Sequence, residues 1–267
     1  MKKLSVLAIA FVAIAFAACG GKQNAQSVEA TDSVKSFEQQ QVEASIKMHL
    51  DSIAAELGQL KQLPFVQEGN GGLALTQEEK QVKPDYLVDA ALADEATTLS
   101  EKYRALGALN VDRKIAELYE MPVEDYDKAI TKLAADINDP SFKAIDNDNT
   151  LFETTTALYD KMNENGRINY FWQLASAALI EQLYVVNQNS DKFLSVFDDE
   201  AADKVTFRII LVLDALKRLS AYDTEIQPVV EALAPLEVLN ATTVEELKAQ
   251  LAEAKDNINA ARKALVK

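Results

Sequence analysis

Histidine and cysteine are all but missing, with one of each in 267 residues. A zinc site of the Cys/His kind and a disulfide framework therefore cannot be built, and no metal is expected. Glycine is scarce at eight residues, which speaks against a Gly-rich phosphate loop and against tight β-hairpins. Positive charge is in deficit. The chain sets 27 Lys and Arg against 42 Asp and Glu, for a formal charge of −15. A body of that sign repels phosphate backbones, so nucleic acid is excluded as a partner. Nowhere do β-branched residues alternate with polar ones over a strand's length with hairpin signals between. What remains is an ordinary globular composition, 48% hydrophobic and 26% charged, rather than a disordered one.

The N-terminal residues set an expected compartment. Lys2 and Lys3 form a basic start, and Leu4 to Phe16 is an apolar run of 13 residues interrupted only by Ser5. A membrane span needs about 20 apolar residues, so this length reads as a secretory signal. Phe16-Ala17-Ala18-Cys19 closes the run and resembles the bacterial lipobox, with Phe16 where Leu is usual. That resemblance implies cleavage before Cys19, lipidation of its thiol and acylation of the new amino group. An ordinary signal peptide with Cys19 as a bystander is the competing reading. The sole cysteine standing where a lipobox places it favours lipidation.

Residues 1–18 are thus expected to be a lipoprotein signal peptide, 19–32 a lipid-anchored flexible tether and 33–267 a helical domain. Loss of Lys2 and Lys3 leaves a mature charge of −17, so attachment rests on the lipid and not on a basic patch. The polar tether allows the body to stand off by roughly 20 Å. Gly20-Gly21-Lys22-Gln23 carries no Asp after Cys19, which would resemble an inner-membrane retention signal, and no acidic cluster, which would resemble the surface-export signal of Bacteroidetes lipoproteins. By elimination the anchor is expected in the outer membrane, facing the periplasm, with the cell surface as the alternative.

Helical spacing then dominates. Ile46, Leu50, Ile53, Leu57 and Leu60 line one face of a first helix that Pro64 stops. Residues 64–84 hold three glycines and read as the main loop. A second helical stretch spans about Ala93–Tyr119, and its stripe changes phase at Gly107, which predicts a kink or break. Tyr126, Ile130, Leu133 and Ile137 mark a helix after Pro122. Leu158 and Met162 mark another, closed by a left-handed cap at Asn165-Gly166. From Arg167 to Val186, 14 of 20 residues are apolar or aromatic and Glu181 is the only acid. This stretch and residues 200–220 read as central helices, and a membrane span is the weaker reading of the first. Pro228 and Pro235 bound short helices. The last helix starts at Thr243 with a capping box to Glu246 and keeps its apolar repeat to Leu265. The fold class is therefore all-α: one bundle-like domain of seven to nine helices, or two packed sub-bundles.

Chemistry is harder to find. His49 has Ser45 one turn away, but no Gly-x-Ser-x-Gly elbow exists to activate a serine. Asp146-Asn147-Asp148-Asn149-Thr150 begins like a calcium loop and fails it, with Leu151 and Ala157 where Gly and Glu are needed. Acidic pairs such as Glu78-Glu79, Asp94-Glu95, Asp198-Asp199 and Glu245-Glu246 read as solvated faces. Arg167, Tyr170 and Trp172, with Tyr184 further along, are core candidates that could instead line a ligand pocket between helices.

Asp32-Ser33-Val34 and Asp51-Ser52-Ile53 resemble the O-glycosylation acceptor of exported Bacteroidetes proteins, which implies Ser33 and Ser52 as candidate sites. Pro84-Asp85-Tyr86-Leu87, Lys102-Tyr103-Arg104-Ala105-Leu106-Gly107, Tyr159 to Arg167 and Ile180-Glu181-Gln182-Leu183-Tyr184 together resemble an uncharacterised all-helical lipoprotein family of Bacteroidetes, over about residues 84–190. The resemblance implies an envelope location and a helical fold, and supplies no activity. The expected function is a non-enzymatic binding or structural role for a lipid-anchored envelope protein, without a cofactor. Its partners would be the membrane, through the lipid, and an envelope protein or small ligand. The alternative is a small-molecule-binding lipoprotein with an interhelical pocket.

Overall fold

The structure, a computed structural model, describes residues 37–59, 72–144 and 155–266. The signal-like run, Cys19, the tether, Ser33, Pro64 and the Asp146–Thr150 segment lie outside the described residues. Twelve α-helices and no strand occur among the described residues: α1 (Phe37–Gln59), α2 (Gln77–Gln81), α3 (Leu92–Glu95), α4 (Leu99–Leu118), α5 (Glu124–Ile137), α6 (Thr155–Glu164), α7 (Ile168–Gln188), α8 (Ser190–Phe193), α9 (Asp199–Leu219), α10 (Gln227–Leu233), α11 (Val244–Glu253) and α12 (Lys255–Leu265). The fold is all-α, as the spacing predicts. Its buried apolar residues form one hydrophobic cluster that runs from Leu50 in α1 to Leu265 in α12.

The helix count exceeds the expected seven to nine for local reasons. Residues 77–81 fall within the expected loop, yet Thr76 and Glu79 form a complete capping box, with Thr76 N donating to Glu79 Oε2 at 2.7 Å. Such a box stabilises even one turn of helix. The last helix divides at Ala254, where φ −82 and ψ 2 interrupt the ladder for a single residue. Leu251, Ala254 and Ile258 stay buried across the break, so the apolar repeat passes over it unmarked. The capping box predicted at Thr243 is half formed. Thr243 Oγ1 accepts from Glu246 N at 3.2 Å, but the Glu246 carboxylate reaches back to Thr242 N instead, at 2.9 Å.

The cap at Asn165-Gly166 is present. Gly166 has φ +68, Arg167 N donates to Met162 O at 2.7 Å, and Gly166 N donates to Asn163 O at 3.1 Å. These two bonds define a Schellman ending of α6 and fix where α7 begins. The start of α4 is held by Thr98 and Glu101. Hydrogen bonds from Thr98 and Thr97 to Glu101 hold its carboxyl down to about 2.

Helix α4, not foreseen as central, is buried almost all round, including Tyr103, Leu106, Ala108, Leu109, Val111 and Ile115. Its stripe changes phase at Gly107 because both faces are covered, and the helix runs through that point without a break. Gly107 serves close approach instead. A Cβ there would lie 2.4 Å from the backbone oxygen of Leu174 in α7. Cross-contacts give the directions. Arg104 meets Gln173, Gly107 meets Leu174 and Ala178, and Asp112 meets Glu181, so α4 and α7 run parallel. Arg113 meets Asp127 and Lys102 meets Asp136, so α5 is antiparallel to α4. Arg262 meets Glu181 and Arg104 meets the Leu265 carbonyl, so α12 is antiparallel to α7.

Helix α7 is central as expected, and even its polar Gln173, Ser176, Glu181 and Gln182 are buried. Among the described residues no helix is long and apolar enough to cross a membrane, which sets aside the reading of 167–186 as a span. Helix α9 buries most of its faces and keeps one solvent face.

Gly107→Ala is predicted to destabilise the fold by about 1–3 kcal/mol, although alanine is the better helix former by about 1 kcal/mol. The clash is with backbone, which cannot rotate away. Chemical denaturation of the two proteins side by side checks this; a more stable Gly107→Ala would contradict it.

Candidate functional site

The strongest chemistry in the molecule lies where α4, α7 and α12 meet. Glu181 is fully buried in α7, and a lone carboxylate in an apolar helix requires a partner. Arg262 of α12 supplies it: Nε lies 2.8 Å from Oε2 and Nη2 lies 2.8 Å from Oε1. This two-pronged geometry is the strong form of the pair. The guanidinium also donates to the Tyr86 carbonyl at 3.1 Å and sits 3.9 Å from the centre of the Tyr184 ring. Tyr86 meets Tyr184 edge-on at 6.3 Å.

A second carboxylate joins the pair. Asp112 of α4 is fully buried, and its Oδ2 accepts from Val88 N at 2.6 Å. Tyr126 of α5 donates to the Val88 carbonyl at 2.8 Å. Asp112 Oδ1 finds no N–H or O–H donor, and what faces it is the Glu181 carboxylate. Two buried acceptors in contact are satisfied by a proton between them. Burial first, and the Glu181 charge second, push the Asp112 carboxyl well above the usual carboxylate range. Burial also raises Glu181, against the pull of Arg262. The proton belongs on Asp112, because Arg262 occupies both oxygens of Glu181. The cluster is then neutral: one carboxylate, one guanidinium and one carboxylic acid.

A smaller polar cluster stands elsewhere on the central pair. Asp139 is buried and accepts from the Tyr103 hydroxyl and from Ser141 N, with Arg167 Nε 3.9 Å away. Burial works to raise its carboxyl, but the hydrogen bonds from Tyr103 and Ser141 and the Arg167 charge outweigh it and hold it below the usual range.

The candidate pocket residues separate. Arg167 and Tyr170 join the Asp139 cluster, where Tyr170 stacks on Tyr103 at 4.9 Å. Trp172 is fully buried against Phe171 and Tyr159. Tyr184 lies under Arg262, 12 residues and about 18 Å further along α7 at 1.5 Å per residue. The four do not share one lining. Ser52 is exposed on α1. His49 is exposed too, and its Nδ1 meets the Ser45 backbone carbonyl at 2.8 Å rather than the Ser45 hydroxyl. Of the acidic pairs, Glu79 bonds Lys192 at 2.7 Å, Asp94 bonds Lys132, and Asp198 caps α9. No group of three or more His, Cys, Asp or Glu that could hold a metal occurs among the described residues.

Glu181 carried a signal in the sequence, as the one acid of an apolar helix. Asp112 and Arg262 carried none, because each sits among residues of ordinary helical pattern. Chemically the cluster stores a proton and a charge pair. Both of its carboxylates lie out of reach of solvent and tie α4, α7 and α12 together. No protein-family model, curated protein or solved structure matches the chain.

Asp112→Asn keeps an acceptor for Val88 N and gains a donor for Glu181, so it is predicted to change stability by under about 1 kcal/mol near pH 5. The folded-state value of Asp112 is raised, so its stabilisation is full below an unfolded value of about 3.9 and is lost as pH rises toward the folded value. Asp112→Asn is therefore predicted to gain on the wild type between pH 5 and 8. Glu181→Gln leaves Arg262 without its counter-charge and is predicted to cost about 3 kcal/mol, the low end for a buried pair. Urea unfolding across that pH range checks both. A larger loss from Asp112→Asn than from Glu181→Gln would place the proton on Glu181 instead.

Proposed function

We propose that the chain is a lipid-anchored lipoprotein of the cell envelope whose helical body has a non-enzymatic binding or structural role. The observation that carries this reading is the position of Cys19, the only cysteine, directly after Lys2-Lys3, the apolar run and Ala17-Ala18. The structure adds support from the body. Its buried Glu181 carboxylate is paired with Arg262 inside the helical core, as in a scaffold. Among its acidic pairs, Asp94 and Glu79 bond lysines and Asp198 caps a helix. The anchor belongs in the outer membrane, with the body facing the periplasm and meeting another envelope component.

Cys19→Ser is predicted to release the protein from the membrane fraction or to leave it as unprocessed precursor. Fractionation with mass spectrometry of the N-terminus checks this, and an acylated, membrane-bound mature chain carrying Cys19→Ser would reject the anchor. Protease treatment of intact cells, read with an antibody to the body, is predicted to leave the signal intact until the outer membrane is permeabilised. Loss of the signal before that step would place the body on the surface.

A further inference from the structure

The solvent face of α9 carries two large apolar side chains that no described residue fully covers. Phe207 is 38% exposed and Ile210 is 49% exposed. They belong to a stripe of exposed or half-exposed residues: Asp203, Phe207, Ile210, Asp214 and Lys217. Acids in the first turn (Asp199, Glu200) and bases in the last (Lys217, Arg218) match the helix dipole and need no further account. The apolar centre is not explained that way, nor is the acid at 203, beyond the first turn. Asp203, Ile210 and Lys217 are spaced by seven, which keeps them nearly in line on one helical face. Val238, 69% exposed, stands beside this face, in the 3₁₀ turn whose Glu237 pairs with Lys217.

We infer that this face pairs with the same face of a second copy of the chain, with the two α9 helices antiparallel about a two-fold axis through Ile210. The argument is charge complementarity. A two-fold contact sets each patch against itself in reverse order. Asp214 is taken up by Arg218 of its own helix at 3.0 Å, and reversal of the remaining acid–apolar–base order about its centre places Ile210 on Ile210, Asp203 over Lys217 and Lys217 over Asp203. Each charged residue lies two turns, about 10 Å, from the axis. A parallel pairing sets Asp203 on Asp203 and Lys217 on Lys217, which is repulsive twice. Lys217 holds Glu237 through an exposed ion pair, and exchange of such a pair costs little. One helix face is a small interface, so association is concentration-dependent.

The test uses the full chain in mild detergent with Cys19→Ser, so that an introduced cysteine is the only one. Ile210→Cys is expected to cross-link under mild oxidation to twice the 29.4 kDa chain mass. Asp203→Cys alone is expected not to, because the two copies of position 203 lie about 21 Å apart along the helices and a disulfide needs Cα atoms within about 7 Å. Asp203→Cys combined with Lys217→Cys is expected to cross-link. In sedimentation of chains that keep Ile210, Asp203→Lys is expected to weaken association at least tenfold, and adding Lys217→Asp to restore it. These positions are exposed, so helicity is expected to be unchanged, and the charge exchange decides the matter should Ile210→Cys fail to fold. No cross-link at 210 in the folded protein, equal cross-linking at 203 alone, or association indifferent to the charge exchange would overturn the antiparallel dimer.

Discussion

A carboxylate with no access to water must be answered inside the protein, and Glu181 imposes that demand at the middle of this fold. Its answer comes from 81 residues further on, through the two-pronged Arg262 contact. Arg262 is held in turn by the Tyr86 carbonyl and the Tyr184 ring, and Asp112 is drawn in by Val88 N. One charge thereby fixes α4, α7, α12 and the irregular stretch around residues 86–88 in a single register. Replacement of such a cluster by apolar residues is often neutral or stabilising, so its contribution here is to the choice of arrangement more than to net stability.

The rest of the packing depends on that choice. Asp112 can face Glu181 because α4 and α7 lie close, and Gly107 is what permits the approach. On the N-terminal side of Gly107 the same three helices are tied again, where Arg104 reaches Gln173 and the Leu265 carbonyl. Apolar burial supplies the bulk of the driving force, as in any helical bundle. It is non-directional, however, and two polar ties at separated levels prevent the helices from sliding or rotating past one another. The outer helices are less constrained, and α9 turns a mixed apolar and charged stripe to solvent.

Much of the fold was legible from spacing. The stripes at Leu50–Leu57, Tyr126–Ile137 and Leu158–Met162 became buried faces, and Asn165-Gly166 became the left-handed cap. Errors arose where periodicity is blind. A helix buried on all sides has no single stripe, so α4 looked broken at Gly107. A buried Ala254 interrupts a ladder without changing the apolar pattern, so α11 and α12 looked like one helix. The polar centre was legible only in part, because Glu181 stands out in an apolar helix whereas its partners lie 69 and 81 residues away in patterns that any surface helix shows. The aromatic residues of α7 drew attention as a pocket, yet their rings are divided between opposite ends of the helix and fill separate parts of the core.

The central claim is that the buried charge cluster holds the stretch around residues 86–88 as firmly as it holds the core helices. Val88 lies outside any helix, and its N–H bonds to Asp112 rather than to backbone. Native-state hydrogen exchange of that amide tests the claim directly. The account predicts that Val88 is protected to within about 1 kcal/mol of the amides around Glu181 in α7, opening only when the core opens. Exchange of Val88 at the rate of an exposed loop, while α7 stays protected, would contradict it.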